Sequence, residues 1–194
     1  MADTAGRYIG KGLYVRIFRS RSRDNDLAKA GVAAKLALAA ALAATTTVAT
    51  MLVQIPIPPT RGYLNFGEIM VFTSALLFGR FVGGVAGGIG SSVADIITGY
   101  AYFAPYTLVI KGLEGFLAGS IRDGKSTRRD VLGWFVGAAA MVSGYFLAEA
   151  YIMGFGVPAA LVEVPGNVIQ VLSGAIVAIP LARGLRGRIP KILI

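Results

Sequence analysis

Ala104-Pro-Tyr-Thr-Leu-Val-Ile-Lys-Gly-Leu-Glu-Gly-Phe-Leu-Ala-Gly119 is an apolar run of helix length that carries a lysine and a glutamate in its interior. The loop Gly99–Pro105 precedes it and the apolar character ends near Ile121. At 1.5 Å per residue, Lys111 lies about 9 Å along the helix from Pro105, with Glu114 one turn deeper. Charged groups inside a membrane-spanning helix are costly and are usually kept for a function. The stretch therefore reads as a membrane span with a polar centre, and the rest of the chain is consistent with that reading.

Of the 194 residues, 55 % are hydrophobic and 15 % charged, against about 25 % charged in soluble domains. A bilayer-spanning helix needs roughly 20 apolar residues, so there is room for about six spans and no separate soluble domain. The first is expected from Ala30 to Val53, ended by Pro56, Pro58 and Pro59. A short second span opens at Glu68 and stops at Phe78-Gly-Arg80, and a third runs from Phe81 to Thr98. The fourth is the stretch quoted above. A fifth covers Val131 to Met153 before Gly154-Phe-Gly-Val-Pro158 breaks it, and a sixth covers Pro165 to Leu181. The expected fold is thus an all-α, six-helix integral membrane bundle over residues 28–194, multi-pass in the cell membrane. Residues 1–27 are polar and basic and lack the apolar core of a cleavable signal peptide. They read equally well as a solvated cytoplasmic tail or as an interfacial helix on an anionic leaflet.

The net charge of +9 is arranged for a membrane and not for nucleic acid. Basic residues gather before the first span, at Arg122, Lys125, Arg128 and Arg129, and at Arg183, Arg186, Arg188 and Lys191. With six spans these clusters fall on one side, which the positive-inside rule makes cytoplasmic, together with both termini. The chain has no His and no Cys, which excludes Ser-His-Asp and Cys-His nucleophiles, thiol redox centres and ordinary zinc, copper or haem sites. No cofactor and no metal are expected. No GxxxxGK[ST] loop is present, so ATP would have to be hydrolysed elsewhere. Phe81-Val-Gly-Gly-Val-Ala-Gly-Gly-Ile-Gly90 lies in a span and lacks the preceding strand of a dinucleotide loop, and is rejected as one.

Polar groups in the spans converge on the outer half: Glu68, Asp95, Lys111, Glu114, Glu149, Asn167 and Gln170, with Tyr63, Tyr100, Tyr102, Phe103, Tyr106 and Tyr151 on the same side. Singly each has a plain explanation. Lys111 and Glu114 can neutralise one another, the tyrosines can form an interfacial belt, and Asn167 and Gln170 can join helices. As a group they predict a polar pocket open to the outside, suited to a flat heterocycle that stacks on aromatic rings. Ala33, Ala37 and Ala41, and likewise Gly79, Gly83 and Gly87, form small-residue stripes. Such stripes let helices approach closely, either within the bundle or at a docking face.

Five segments together resemble one family, the substrate-binding S components of energy-coupling-factor (ECF) vitamin transporters. They are Gly62-Tyr-Leu-Asn-Phe-Gly-Glu68, Leu77-Phe-Gly-Arg-Phe-Val-Gly-Gly84, Gly90-Ser-Ser-Val-Ala-Asp95, the Ala104–Gly119 run and Pro165-Gly-Asn-Val-Ile-Gln170. The chain is most similar to the riboflavin-type group, departing from it at Arg80, where proline is frequent. The resemblance implies a six-helix bundle that captures a vitamin or precursor, riboflavin first and a pyrimidine thiamine precursor second. Tyr63, Asn65, Glu68, Asp95, Tyr106, Lys111, Glu114, Glu149, Asn167 and Gln170 would contact it. It also implies partners, a transmembrane coupling protein docked on Ala33, Ala37 and Ala41 and two cytoplasmic ATPases, with delivery by toppling of the whole subunit. The proline-rich loop after the first span and the loop before Pro105 would act as a lid. Two other readings compete: a membrane scaffold of the rod-shape-determining type, and a membrane enzyme using Asp95 and Glu114 as acid and base. A scaffold has no reason to gather charged groups round a cavity, and no catalyst is expected.

Overall fold

A computed structural model describes residues 29–189. The basic segment 1–27, with its two readings, lies outside the described residues. Six helices follow in order: α1 Lys29–Leu52, α2 Glu68–Phe78, α3 Arg80–Ile97, α4 Ala104–Ile121, α5 Thr127–Leu147 and α6 Val157–Leu185. Three helical stretches, Lys29–Leu52, Thr127–Ile152 and Val157–Arg188, are long and apolar enough to cross a membrane. α3 and α4 have 18 residues each, about 27 Å at 1.5 Å per residue. α2, with 11 residues, is about 16 Å long, roughly half a hydrocarbon core.

The shortness of α2 is made up by an element the sequence reading left as loop. Gln54–Ile57 (β1) pairs antiparallel with Gly62–Asn65 (β2), with Gln54 opposite Asn65 and Ile57 opposite Gly62. Pro56 has no N–H to donate, which a two-strand ribbon tolerates because its edges are open. Arg61 closes the turn at φ 55°, its N–H donating to the Pro58 carbonyl at 3.3 Å. The Gly67 N–H then donates to Asn65 Oδ1 at 2.9 Å, turning the chain from β2 into α2. The fold is therefore six helices plus a hairpin, and not purely helical.

At the far end of α2 the chain reverses through Gly79, whose φ of 88° suits glycine. Arg122 donates to the carbonyls of Leu76 and Leu77, two of the groups that the end of a helix leaves unpaired. α3 then packs backbone to backbone on its neighbours. A Cβ on Gly83 would lie 2.6 Å from the Ala75 Cβ and 2.7 Å from the Gly115 carbonyl oxygen, and one on Gly88 would lie 2.7 Å from the Leu108 carbonyl oxygen. The Gly83 and Gly87 stripe thus serves internal packing. The alanine stripe differs. Ala39, Ala43, Thr46 and Thr50 are the residues of α1 that are buried, with Thr47 Oγ1 donating to the Gly90 carbonyl at 2.8 Å. Ala33, Ala37 and Ala41 are exposed.

α5 ends in a π turn, Ala148–Ile152. α6 begins eight residues earlier than the sequence reading placed it and holds both Pro165 and Pro180 in its interior. Gly156 (φ 83°) is the true break, and Pro158 occupies the first turn, where its missing N–H costs nothing. Pro165 is exposed, so the bond it forfeits lies on the outer side of the bundle. Trp134 Nε1 donates to the Val171 carbonyl at 2.8 Å, and Arg186 pairs with buried Asp130, tying α6 to α5. Phe72, Leu76 and Met141 are the largest apolar side chains that are wholly buried.

Candidate functional site: a polar cavity under the hairpin

The two ends of the bundle differ in chemistry. Arg80, Arg122, Arg128, Arg129, Arg183 and Arg186 sit at the end where α2 stops and α3 starts. The other end, under the hairpin, holds a cavity of about 380 Å³, its mouth included.

Every helix but α2 lines this cavity. α1 gives Thr50, β2 gives Gly62, Tyr63 and Asn65, and α3 gives Ser91 and Asp95. Phe103 from the following loop joins Thr107 and Lys111 of α4, Met141 and Tyr145 of α5, and Glu163, Asn167 and Gln170 of α6. Helical spacing explains the convergence. Ser91 and Asp95, Thr107 and Lys111, Met141 and Tyr145, and Glu163 and Asn167 are each four apart and so share a face.

The hairpin is bolted down by hydrogen bonds from its polar side chains and backbone. Tyr63 Oη donates to Asp95 Oδ1 at 2.6 Å, and the Tyr63 ring lies 4.4 Å from that of Tyr100. The Asn65 N–H donates to Gln170 Oε1 at 3.2 Å, while Gln170 Nε2 donates to Asn167 Oδ1 at 3.0 Å. Thr60 donates to the Glu163 carboxylate. A Cβ on Gly62 would fall 2.8 Å from Glu163 Oε1, so a larger residue there would make the Glu163 carboxyl shift.

Beneath the cavity Lys111 is held between carboxylates. It pairs with Glu68 at the start of α2, and with Glu114 at 3.4 Å, and its ammonium lies 5.8 Å from the centre of the Tyr145 ring. Tyr145 in turn donates to Thr107 Oγ1 at 2.9 Å. All of these groups are buried. Two buried acceptors on the lining, Asp95 Oδ2 and Thr50 Oγ1, have no hydrogen-bond partner among the described residues. Buried polar atoms are rarely left so, and a ligand carrying hydrogen-bond donors would satisfy them.

Of the ten residues expected from the sequence, Tyr63, Asn65, Asp95, Lys111, Asn167 and Gln170 line the cavity. Glu68 and Glu114 lie behind it, fixing Lys111. Glu149 is buried against Glu163. Tyr106 points elsewhere, into a groove with Arg61, Tyr102 and Phe155. Glu163 was missed because the sixth helix was started at Pro165; its spacing to Asn167 and Gln170, four and then three residues, was the available signal. Tyr145, Thr107 and Ser91 also went unnamed, though Thr107 precedes Lys111 by one turn.

The family of S components of ECF-type riboflavin transporters matches residues 32–187. A protein of Pyrococcus woesei, known as the uncharacterized protein in gap 3′ region, is 47 % identical over 148 residues, which is 76 % of this chain and 98 % of that one. The thiamine precursor transporter HmpT of Lactococcus lactis subsp. cremoris (strain MG1363) is 30 % identical over 145 residues, 74 % of this chain and 82 % of its own. A solved structure of the S component of a bacterial ECF transporter superposes with a TM-score of 0.63 at 20 % identity, covering 79 % of this chain and 96 % of that one. The scaffold and enzyme readings fall with these matches. An integral membrane bundle with a polar cavity, matched over most of its length, this chain belongs to the S components of ECF-type riboflavin transporters: it is a substrate-binding transporter subunit of the cell membrane and not an enzyme.

Proposed function

We propose that the cavity captures a flat, hydrogen-bonding vitamin or vitamin precursor from outside the cell, riboflavin or a close heterocyclic relative. The observation that carries this reading is the lining itself. Aromatic walls from Tyr63, Phe103 and Tyr145 stand beside donors and acceptors of both signs, all beneath one hairpin. The basic end faces the cytoplasm by the positive-inside rule, which puts the cavity outside and both termini inside. The hairpin, with Pro56 in β1 and Pro58 and Pro59 in its turn, acts with the Gly99–Phe103 loop as the lid. Ala33, Ala37 and Ala41, exposed on α1, dock the transmembrane coupling protein. Two cytoplasmic ATPases drive the toppling that delivers the cargo inward.

An aminopyrimidine thiamine precursor is the second reading. It is supported by the name of the Lactococcus relative and by the acceptors Asp95 and Glu163, which suit amino N–H donors. Mass spectrometry of ligand extracted from detergent-purified protein, followed by calorimetric titration with riboflavin and with an aminopyrimidine, separates the two. A stoichiometric heterocycle bound in the cavity is the expected result. Protein that carries and binds neither compound contradicts the proposal.

A further inference from the structure

Glu149 does not line the cavity, and the proposed capture of a ligand makes no use of it. It continues the cavity face of α5, four residues beyond Tyr145 and eight beyond Met141. It stands in the π turn Ala148–Ile152, where the Met153 N–H reaches back to the Ala148 carbonyl at 2.8 Å. Such turns are frequent at functional sites. The side chain is wholly buried, and neither of its carboxyl oxygens has a hydrogen-bond partner among the described residues. What it meets is the carboxyl of Glu163 on α6, itself 4 % exposed.

Two acceptors cannot satisfy one another, and two buried carboxylates in contact repel. One proton between them removes both costs and makes the contact an acid–carboxylate hydrogen bond. The surroundings assign that proton. The Gly62 N–H donates to Thr60 Oγ1 at 3.3 Å, and the Thr60 hydroxyl donates its own hydrogen to Glu163 Oε2. Glu163 thus has a donor to steady its charge and Glu149 has none, so Glu149 carries the proton and Glu163 accepts it. The other ionisable groups here are engaged. Tyr102, which faces Glu163 from the loop before α4, donates to the Arg61 carbonyl. Asp95 accepts from Tyr63, and Lys111 is held by Glu68 and Glu114. We propose that Glu149 is a positioning residue for the lid: its shared proton fixes the Glu163 carboxyl, which in turn hooks Thr60 in the turn of the hairpin. The latch runs from the end of α5 through α6 to the segment between β1 and β2, where Thr60 is wholly buried. It rests on reading the hairpin as the lid, but not on which ligand the cavity takes.

The test is hydrogen–deuterium exchange of the ligand-free, detergent-purified chain, read at the paired amides of β2, with the amides of α3 as internal reference. Exchange through local opening reports the stability of the element that opens. Glu149→Met keeps the bulk and removes the donor, so the β2 amides should exchange at least about ten-fold faster, the scale of one hydrogen bond to a charged group. Glu149→Gln puts an amide N–H donor in the same place and should leave exchange close to that of the parent. Thr60→Val should match Glu149→Met, and the double variant should open no faster than either single one, because both break one latch. Parent-like protection in Glu149→Met would reduce Glu149 to packing. Fast exchange in Glu149→Gln would mean that this side chain does not act as a donor, and additive effects would separate Thr60 from Glu149. Each of these results overturns the proposal. If Glu149→Met also strips protection from α3, it has not folded, and the other two single variants decide: slow exchange in Glu149→Gln with fast exchange in Thr60→Val supports the latch, and equal exchange in the two overturns it. No ligand enters this experiment. A chain that binds neither riboflavin nor an aminopyrimidine would therefore contradict the capture reading and leave the latch standing.

Discussion

α3 and α4 run side by side for 18 residues each, yet their two halves are built on opposite principles. Towards the basic end the pair is solid. Gly83, Gly84, Gly87 and Gly88 of α3 face the backbone of α4 so closely that most added Cβ atoms would strike a carbonyl oxygen. Towards the hairpin the same two helices carry Ser91, Asp95, Thr107 and Lys111 and enclose a cavity. Close glycine packing at one end lets dispersion and backbone dipoles hold the helices where lipid supplies no hydrophobic drive. That rigid half allows the other half to stay hollow and to keep Lys111 between two buried carboxylates. The polar cavity is, in this molecule, the complement of a glycine seam.

The largest effect expected from breaking the seam is at Gly115. An added side chain there would run into the Gly83 carbonyl, so Gly115→Leu should lower stability by about 3 kcal/mol, the upper part of the overpacking range. Thermal unfolding in detergent would read it, and a Tm within a degree or two of the parent would mean that the two helices are not locked there. Ala37→Trp puts comparable bulk on an exposed face. Uptake in cells should vanish while the purified protein keeps its ligand affinity; loss of both would mark the alanine stripe as internal packing. Smaller again is Tyr63→Phe, which removes the hydrogen bond to Asp95. Binding should weaken by about 1.5 kcal/mol, the low end for hydrogen bonds to charged groups, as measured by calorimetry, and unchanged affinity would show that this bond does not hold the lid.

The contrast between the halves was only partly legible in the sequence. The six helices followed from apolar runs, glycine and proline breaks, and the charge pattern. The cavity followed from Asp95, Lys111, Asn167 and Gln170, ionisable or amide groups that are conspicuous inside spans. The hairpin did not, because Gln54-Ile-Pro-Ile57 has a proline where strands seldom carry one and its pairing depends on distant anchors, Asp95 and Gln170. Glu163 stayed hidden because Pro165 reads as a helix start, although Gly156 and Pro158 supply that start about two turns earlier. The fate of each small-residue stripe was also open. Spacing alone is the same for Ala33, Ala37 and Ala41 as for Gly79, Gly83 and Gly87; only the position of neighbouring helices decides which one faces inward.

The central claim is that Lys111 and its carboxylates form the floor of a ligand site. Equilibrium titration of the purified chain, its Lys111→Met variant and its Lys125→Met variant with the copurified heterocycle tests this most directly. Lys111→Met should weaken binding by more than about 1.5 kcal/mol, the scale of a charge-assisted hydrogen bond, roughly a tenfold rise in Kd or more. Lys125, exposed in the loop between α4 and α5, should tolerate the same change without effect. Equal and small effects from both variants would contradict the account and move the ligand out of this cavity.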